Sequence, residues 1–143
     1  MKIKRIEENE SRAGDFINRA FTDYALKCNV ALNFEEYCFA AENDSGEITG
    51  VITGRAYYNE VHIGDLIVDE KYRGQNIGSQ LARAVEDYYK DKAYTKISLT
   101  TFGFQAPEFY KKLGYSLEFV REDSDSRLSK YFYIKHLKKI EQE

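Results

Sequence analysis

Between Ser11 and Cys28 the apolar residues Ala13, Phe16, Ile17, Ala20, Phe21, Tyr24 and Ala25 recur every three or four positions, which is the stripe of an amphipathic helix. Before it, Lys2 to Ile6 alternates charge with isoleucine, the pattern of a half-buried strand. After it, the apolar run Tyr37 to Ala41 meets Asn43, Asp44, Ser45 and Gly46, residues with the chemistry of a hairpin turn, and Ile48 to Tyr58 is the expected partner strand. A second turn near Asn59 leads into Val61 to Val68, again rich in β-branched residues. The pattern then breaks at a polar stretch, Asp69 to Asn76. It resumes as a helix with Ile77, Leu81, Ala84, Val85 and Tyr88 on one face and Gln80, Arg83, Asp87 and Lys90 on the other. Lys96 to Thr101 reads as a strand, Gln105 to Leu113 as a helix opened by Pro107, and Tyr115 to Val120 and Lys130 to Leu137 as strands. The order β-α-β-β-β-α-β-α-β-β predicts an α/β (α+β) fold: a central mixed, mostly antiparallel twisted sheet flanked by helices.

Composition narrows this without redirecting it. The 143 residues suit one domain spanning 1–143, and 43% hydrophobic against 31% charged residues describe an ordinary globular chain. A net charge of -3 gives no general attraction to nucleic acid or an anionic membrane. The N-terminus has no apolar leader and no apolar run approaches the roughly 18 residues of a membrane span, so a cytoplasmic protein is expected. Cys28 and Cys38 stand alone in sequence and are expected to be reduced, partly buried thiols. Imidazole comes only from His62 and His136, so no metal site is expected.

The candidate chemistry begins at Val68 to Ser79, where a strand, a polar loop and a helix N-terminus follow one another. The unpaired N–H groups of a first helical turn and the helix dipole make such a place receptive to anions. Gly74, Gly78 and Ser79 are small enough to let backbone approach phosphate oxygens, and Arg73 could add a charge-assisted bond. The loop lacks the GxxxxGK[ST] of a P-loop and the GxGxxG of a Rossmann site, and read alone it is equally a plain turn. Likewise Phe109, Tyr110 and Leu113, on a short helix stopped by Gly114, have the spacing of core residues.

Two segments carry a resemblance. Arg73-Gly74-Gln75-Asn76-Ile77-Gly78 resembles the acyl-CoA-binding motif of the GNAT superfamily, a Gln or Arg followed by x-x-Gly-x-Gly or Ala, with Asn76 at the first glycine. Asparagine tolerates the left-handed backbone region better than other side chains, so the turn can survive there. Ala106 through Tyr115 resembles the A-x-x-F-Y-x-x-x-G-[FY] signature of the same superfamily, whose tyrosine stands near the CoA sulfur. Many relatives place an Asn three residues before that Ala; here it is Gly103.

The resemblance implies a GNAT-like fold over nearly the whole chain and an N-acetyltransferase using acetyl-CoA as co-substrate, with no metal. It implies that Arg73, Gly74, Gln75, Asn76, Ile77, Gly78 and Ser79 hold the pyrophosphate and that Ala106 belongs to the second CoA-contacting segment. Backbone groups of Leu66, Ile67 and Val68 would pair with the pantetheine arm and polarise the thioester carbonyl. Tyr110 would protonate the leaving thiolate, since a phenol stays protonated at neutral pH. His62 resembles the position of a catalytic histidine in some small-amine acetyltransferases, and Glu60 is the alternative base. Strand alternation puts Glu60, His62, Gly64, Leu66 and Val68 on one face and Asp65 on the other.

The acceptor is expected to be a primary amine of a small molecule or a protein, attacking directly in a ternary complex. Tyr24, Phe34, Tyr57, Tyr58, Phe104, Tyr131 and Tyr133, with Glu35, Glu36, Glu60 and Asp65, supply aromatic and acidic groups suited to an ammonium, although many of these aromatics could equally fill the core. The alternative from another class is a catalytically silent acyl-CoA-binding sensor or interaction module, suggested by Asn76 and Gly103. Neither nucleic acid nor membrane is expected as a partner. A homodimer could form along a free edge near Tyr131 to Ile134. The charged tail, Lys138 to Glu143, is expected to fray.

Overall fold

The computed structural model describes residues 1–137, so the tail from Lys138 lies outside the described residues. Met1–Asn33 and Phe34–Glu143 form two compact units. The first holds α1, Ser11–Lys27. Its end is a Schellman motif: Asn29 adopts φ 58°, Val30 N–H bonds to Ala25 C=O at 2.9 Å, and Asn29 N–H to Leu26 C=O at 3.2 Å. The strand expected at Lys2 to Ile6 does not form. Alternation is not enough to make a strand, because a strand needs a ladder partner; among the described residues the six paired strands run from Glu35 to His136.

That unit is one sheet with order β1-β2-β3-β4-β6-β5. Its strands are β1 (Glu35–Glu42), β2 (Ile48–Tyr57), β3 (Glu60–Val68), β4 (Lys96–Phe102), β5 (Ser116–Arg121) and β6 (Lys130–His136). Only β3 and β4 run parallel, joined by a crossover through α2, Ile77–Tyr89. All other neighbours are antiparallel. This is the mixed, mostly antiparallel α/β sheet the chain predicts, less its first strand.

One sheet face is the core. Ile52, Val61, Ile63, Ile97, Leu99 and Tyr133 pack there with Leu81, Val85 and Tyr89 of α2 and Tyr110 of α3, Glu108–Lys112. Burying these side chains, at roughly 1.5–3 kcal/mol for each large aliphatic or aromatic one, is the main force fixing α2 and α3 against the sheet.

Four expectations change in detail. The buried stripe of α2 is Leu81, Ala82, Val85 and Tyr89, whereas Tyr88 is exposed and lies beneath the Lys92 ammonium, 4.0 Å from its ring centre. The expected helix from Gln105 starts later, because Ala106 takes the left-handed conformation (φ 61°) and separates a 3-10 turn at Gly103–Gln105 from α3. Cys28 and Cys38 are free and exposed, not partly buried. Finally, β6 lies between β4 and β5, so Tyr131 to Ile134 offers no free edge for a second copy.

Candidate functional site

The polar loop after β3 folds as a 3-10 turn, Glu70–Tyr72, capped by Asp69, whose carboxylate accepts from Lys71 N–H at 2.9 Å. Gly74 (φ 83°) and Asn76 (φ 63°) then take left-handed conformations and turn the chain into α2. No side chain caps that helix, so the first-turn N–H groups of Ile77, Gly78 and Ser79 have no intrahelical acceptor and face outward beside Gln75 and Asn76. This is an anion-receptive terminus of a 13-residue helix. Arg73 Nε is 3.3 Å from Val68 C=O, which holds its guanidinium at the strand end that the helix follows. Gly74 has open space where a side chain would be and is needed for its backbone angle. Gly78 is small for another reason: a Cβ there would come within 3.3 Å of the Phe109 ring, so it is the seat of α3 on α2.

Strands β3 and β4 pair only over Glu60–Ile63 and Lys96–Leu99. Beyond that, β3 continues to Val68 on β2, and β4 continues to Phe102 on β6. The parallel pair therefore forks after Ile63 and Leu99. Backbone groups of Leu66, Ile67 and Val68 that are not directed at β2 point into the fork, where they can hydrogen bond an extended chain laid between the strands.

A bulge at the fork redirects side chains. Thr53 pairs with Asp65 and Gly54 with Ile63, so Gly64 has no partner and the alternation slips by one. Leu66 packs on the core, and Val68 lies within reach of Gly78 of α2. Asp65 instead shares the face of Glu60 and His62, where it accepts from the Thr53 hydroxyl at 3.1 Å. Uninterrupted alternation had put Leu66 and Val68 with His62, and Asp65 opposite; the single extra residue reverses both.

Tyr110 stands on the core face of the sheet, its ring 5.1 Å from Phe109, 5.8 Å from Tyr115 and 6.0 Å from Tyr133, centre to centre. Burial raises its pKa to about 12, so it is a protonated phenol throughout the neutral and mildly alkaline range.

On the opposite face, Glu60, His62, Ser98, Thr100, Glu118 and Phe132 help to line a pocket of ≈ 580 Å³. Its polar groups are connected. His62 Nδ1 lies 3.1 Å from Ser98 Oγ, the Ser98 hydroxyl donates to Glu60 Oε2 at 2.7 Å, and the Tyr57 hydroxyl donates to the same oxygen at 3.3 Å. The two candidate bases thus belong to one network through Ser98, which sequence reasoning missed: it faces His62 only because of the parallel register. Burial lowers the His62 pKa below the ordinary 6.5; Arg55 and Lys130 push the same way, against Glu60. His62 is therefore neutral at pH 7, with an imidazole nitrogen able to take a proton. Of the other aromatic and acidic residues considered for the acceptor, Tyr57 lines this pocket, whereas the Tyr133 ring is buried in the core against Tyr110. Among the described residues no group of His, Cys, Asp and Glu is placed to hold a metal ion, and no helix is long and apolar enough to cross a membrane.

A forked parallel pair beside an uncapped helix terminus is an arrangement able to take an extended chain that ends in an anion. Residues 4–115 match the acetyltransferase (GNAT) family, and the chain belongs to that family as an acetyl-CoA-dependent enzyme. It is 31% identical over 104 residues to the blasticidin-S acetyltransferase of Streptomyces morookaense, covering 72% of this chain and 76% of that one. The crystal structure of an acetyltransferase from Bacillus cereus superposes with a TM-score of 0.77 at 37% identity, over 94% of this chain and 98% of the other. An aminoglycoside 6'-N-acetyltransferase complexed with coenzyme A shares the fold, with a TM-score of 0.64 and 20% identity over 76% of each chain.

Proposed function

We propose that the chain transfers the acetyl group of acetyl-CoA to a primary amine of a small molecule by direct attack in a ternary complex. The observation that carries this reading is the fork: it opens one residue past His62, with the His62 pocket on one face and Tyr110 on the other. The N–H groups of Ile77, Gly78 and Ser79, with Gly74, Gln75, Asn76 and Arg73 beside them, fit the pyrophosphate. Leu66, Ile67 and Val68 offer backbone partners along the fork, and Ala106 precedes the helix that carries Tyr110. Acetyl-CoA, when bound, supplies the acetyl group as a thioester.

His62 Nε2 takes a proton from the incoming ammonium, directly or through one water, and so frees the nitrogen lone pair for attack. The carbon–nitrogen bond forms as the carbon–sulfur bond breaks, the Tyr110 hydroxyl donates its proton to the departing sulfur, and the second proton that the nitrogen gives up on becoming an amide returns through water to the Tyr110 phenolate. Glu60 Oε2 already accepts from Ser98 and Tyr57, which supports His62 as the base and an electrostatic role for Glu60. The pocket suits a small molecule, and the blasticidin-S relative supports that class of acceptor.

The test is free-thiol release from acetyl-CoA over a panel of primary amines, with calorimetric titration of acetyl-CoA in parallel. Saturable release dependent on one amine class supports the proposal. Binding without release from any amine would replace it with the acyl-CoA sensor reading.

A further inference from the structure

Ser98 stands directly opposite His62 in the parallel ladder, with Glu60 two residues before His62 on the same strand face. A hydroxyl has one proton to give. Ser98 gives it to Glu60, since the 2.7 Å contact joins a hydroxyl to a carboxylate oxygen that can only accept. Its oxygen is then left as an acceptor toward His62 Nδ1 at 3.1 Å, so Nδ1 must carry the imidazole proton. The lone pair consequently sits on Nε2. We infer that Ser98 is a positioning residue of the acetyl-transfer reaction: by linking Glu60 to His62 it holds the imidazole as the Nδ1–H tautomer and presents Nε2 as the proton acceptor.

The inference rests on the reading of His62 as the base, but its structural half can be read separately. In water a free histidine side chain favours the Nε2–H form, so an Nδ1–H tautomer at His62 requires a partner that enforces it. When His62 accepts a proton, the relay keeps its value: Nδ1–H still donates to Ser98 Oγ, and the Glu60 carboxylate, also held by Tyr57, lies one hydroxyl away from the new positive charge. The charged groups about His62 besides Glu60 are Arg55 on β2, Lys96 on β4, Glu118 on β5 and Lys130 on β6, and the His136 ring of β6 also lines the pocket. None of them stands between His62 and Ser98 in the hydrogen-bond chain.

The chain has two histidines, so a long-range proton–nitrogen correlation spectrum of the full-length 15N-labelled protein contains two imidazoles, and His62→Gln assigns them. At a pH where both rings are neutral, the expected wild-type result is protonated Nδ1 and bare Nε2 at His62. Ser98→Ala should move His62 toward Nε2–H and lower kcat about tenfold with the KM for acetyl-CoA unchanged, while Ser98→Thr, which keeps the hydroxyl, should restore both. An Nε2–H tautomer in the wild type, or a tautomer unaltered by Ser98→Ala in a folded protein, would overturn the inference. If the tautomer responds as expected but neither Ser98→Ala nor His62→Gln changes kcat, the base reading of His62 fails and the positioning role fails with it, while the hydrogen-bond assignment stands.

Discussion

The Tyr37 hydroxyl donates to the backbone carbonyl of His62 at 2.8 Å, across the strand that lies between them. The bond is possible because β2 has a glycine at the crossing: a Cβ on Gly54 would lie 2.0 Å from the His62 carbonyl oxygen and 2.3 Å from the Tyr37 hydroxyl. A core tyrosine thereby pins the backbone of the candidate base beside the bulge at Gly64. Burial raises the Tyr37 pKa, so this donor remains protonated over the working pH range.

Gly54→Ala is predicted to destabilise the fold by about 3 kcal/mol or more, from overpacking and loss of that hydrogen bond. Chemical denaturation measures this. A change below about 1 kcal/mol would mean that the backbone at the bulge gives way easily.

Arg55 lies across from His62 in the β2–β3 ladder, and its charge lowers the His62 pKa. Arg55→Gln should therefore raise that pKa and carry the acid limb of kcat/KM to higher pH. Stability follows the same sign. Because the folded His62 pKa lies below 6.5, the unfolded chain takes up the proton first, and His62 costs stability as pH falls through 6.5 toward the folded value, with no effect above that window. Proton titration by NMR beside the pH–rate profile checks both.

Tyr110→Phe should lower kcat roughly a hundredfold, the scale of general acid catalysis, with acetyl-CoA affinity nearly unchanged. With its pKa near 12, Tyr110 should produce no alkaline loss of activity below about pH 10. Single-turnover kinetics and calorimetry separate the two effects, and an equal loss of binding would remove the acid role.

Gly103→Asn would introduce the amide that the resemblance leads one to expect three residues before Ala106, yet a Cβ there meets the Ser126 carbonyl oxygen at 2.3 Å, while Gly103 N–H bonds to Ser129 C=O at 2.8 Å. The expected result is a lower melting temperature and no gain in acetyl-CoA affinity, measured by thermal shift with and without ligand. The close approach of the 126–128 turn requires a glycine there.

What was legible in the sequence is what is local. The turn into α2, including a left-handed Asn76, follows from neighbouring residue types, and so does the Gly114 stop after Tyr110 (φ 93°). What was not legible depends on distant chain. Ser98 meets His62 through a register 36 residues away, and Asp65 lies on the His62 face of the sheet because of one unpaired glycine. The apparent strand Lys2 to Ile6 has the right alternation and no partner, and β6 looked like an edge until β5 was found outside it.

The most direct measurement is amine-dependent thiol release from acetyl-CoA as a function of pH, for the wild type and His62→Gln. The wild type should show an acid limb with a midpoint below 6.5, and His62→Gln a reduced rate without that limb. An unchanged rate and an unchanged limb in His62→Gln would contradict it and leave the proton to water.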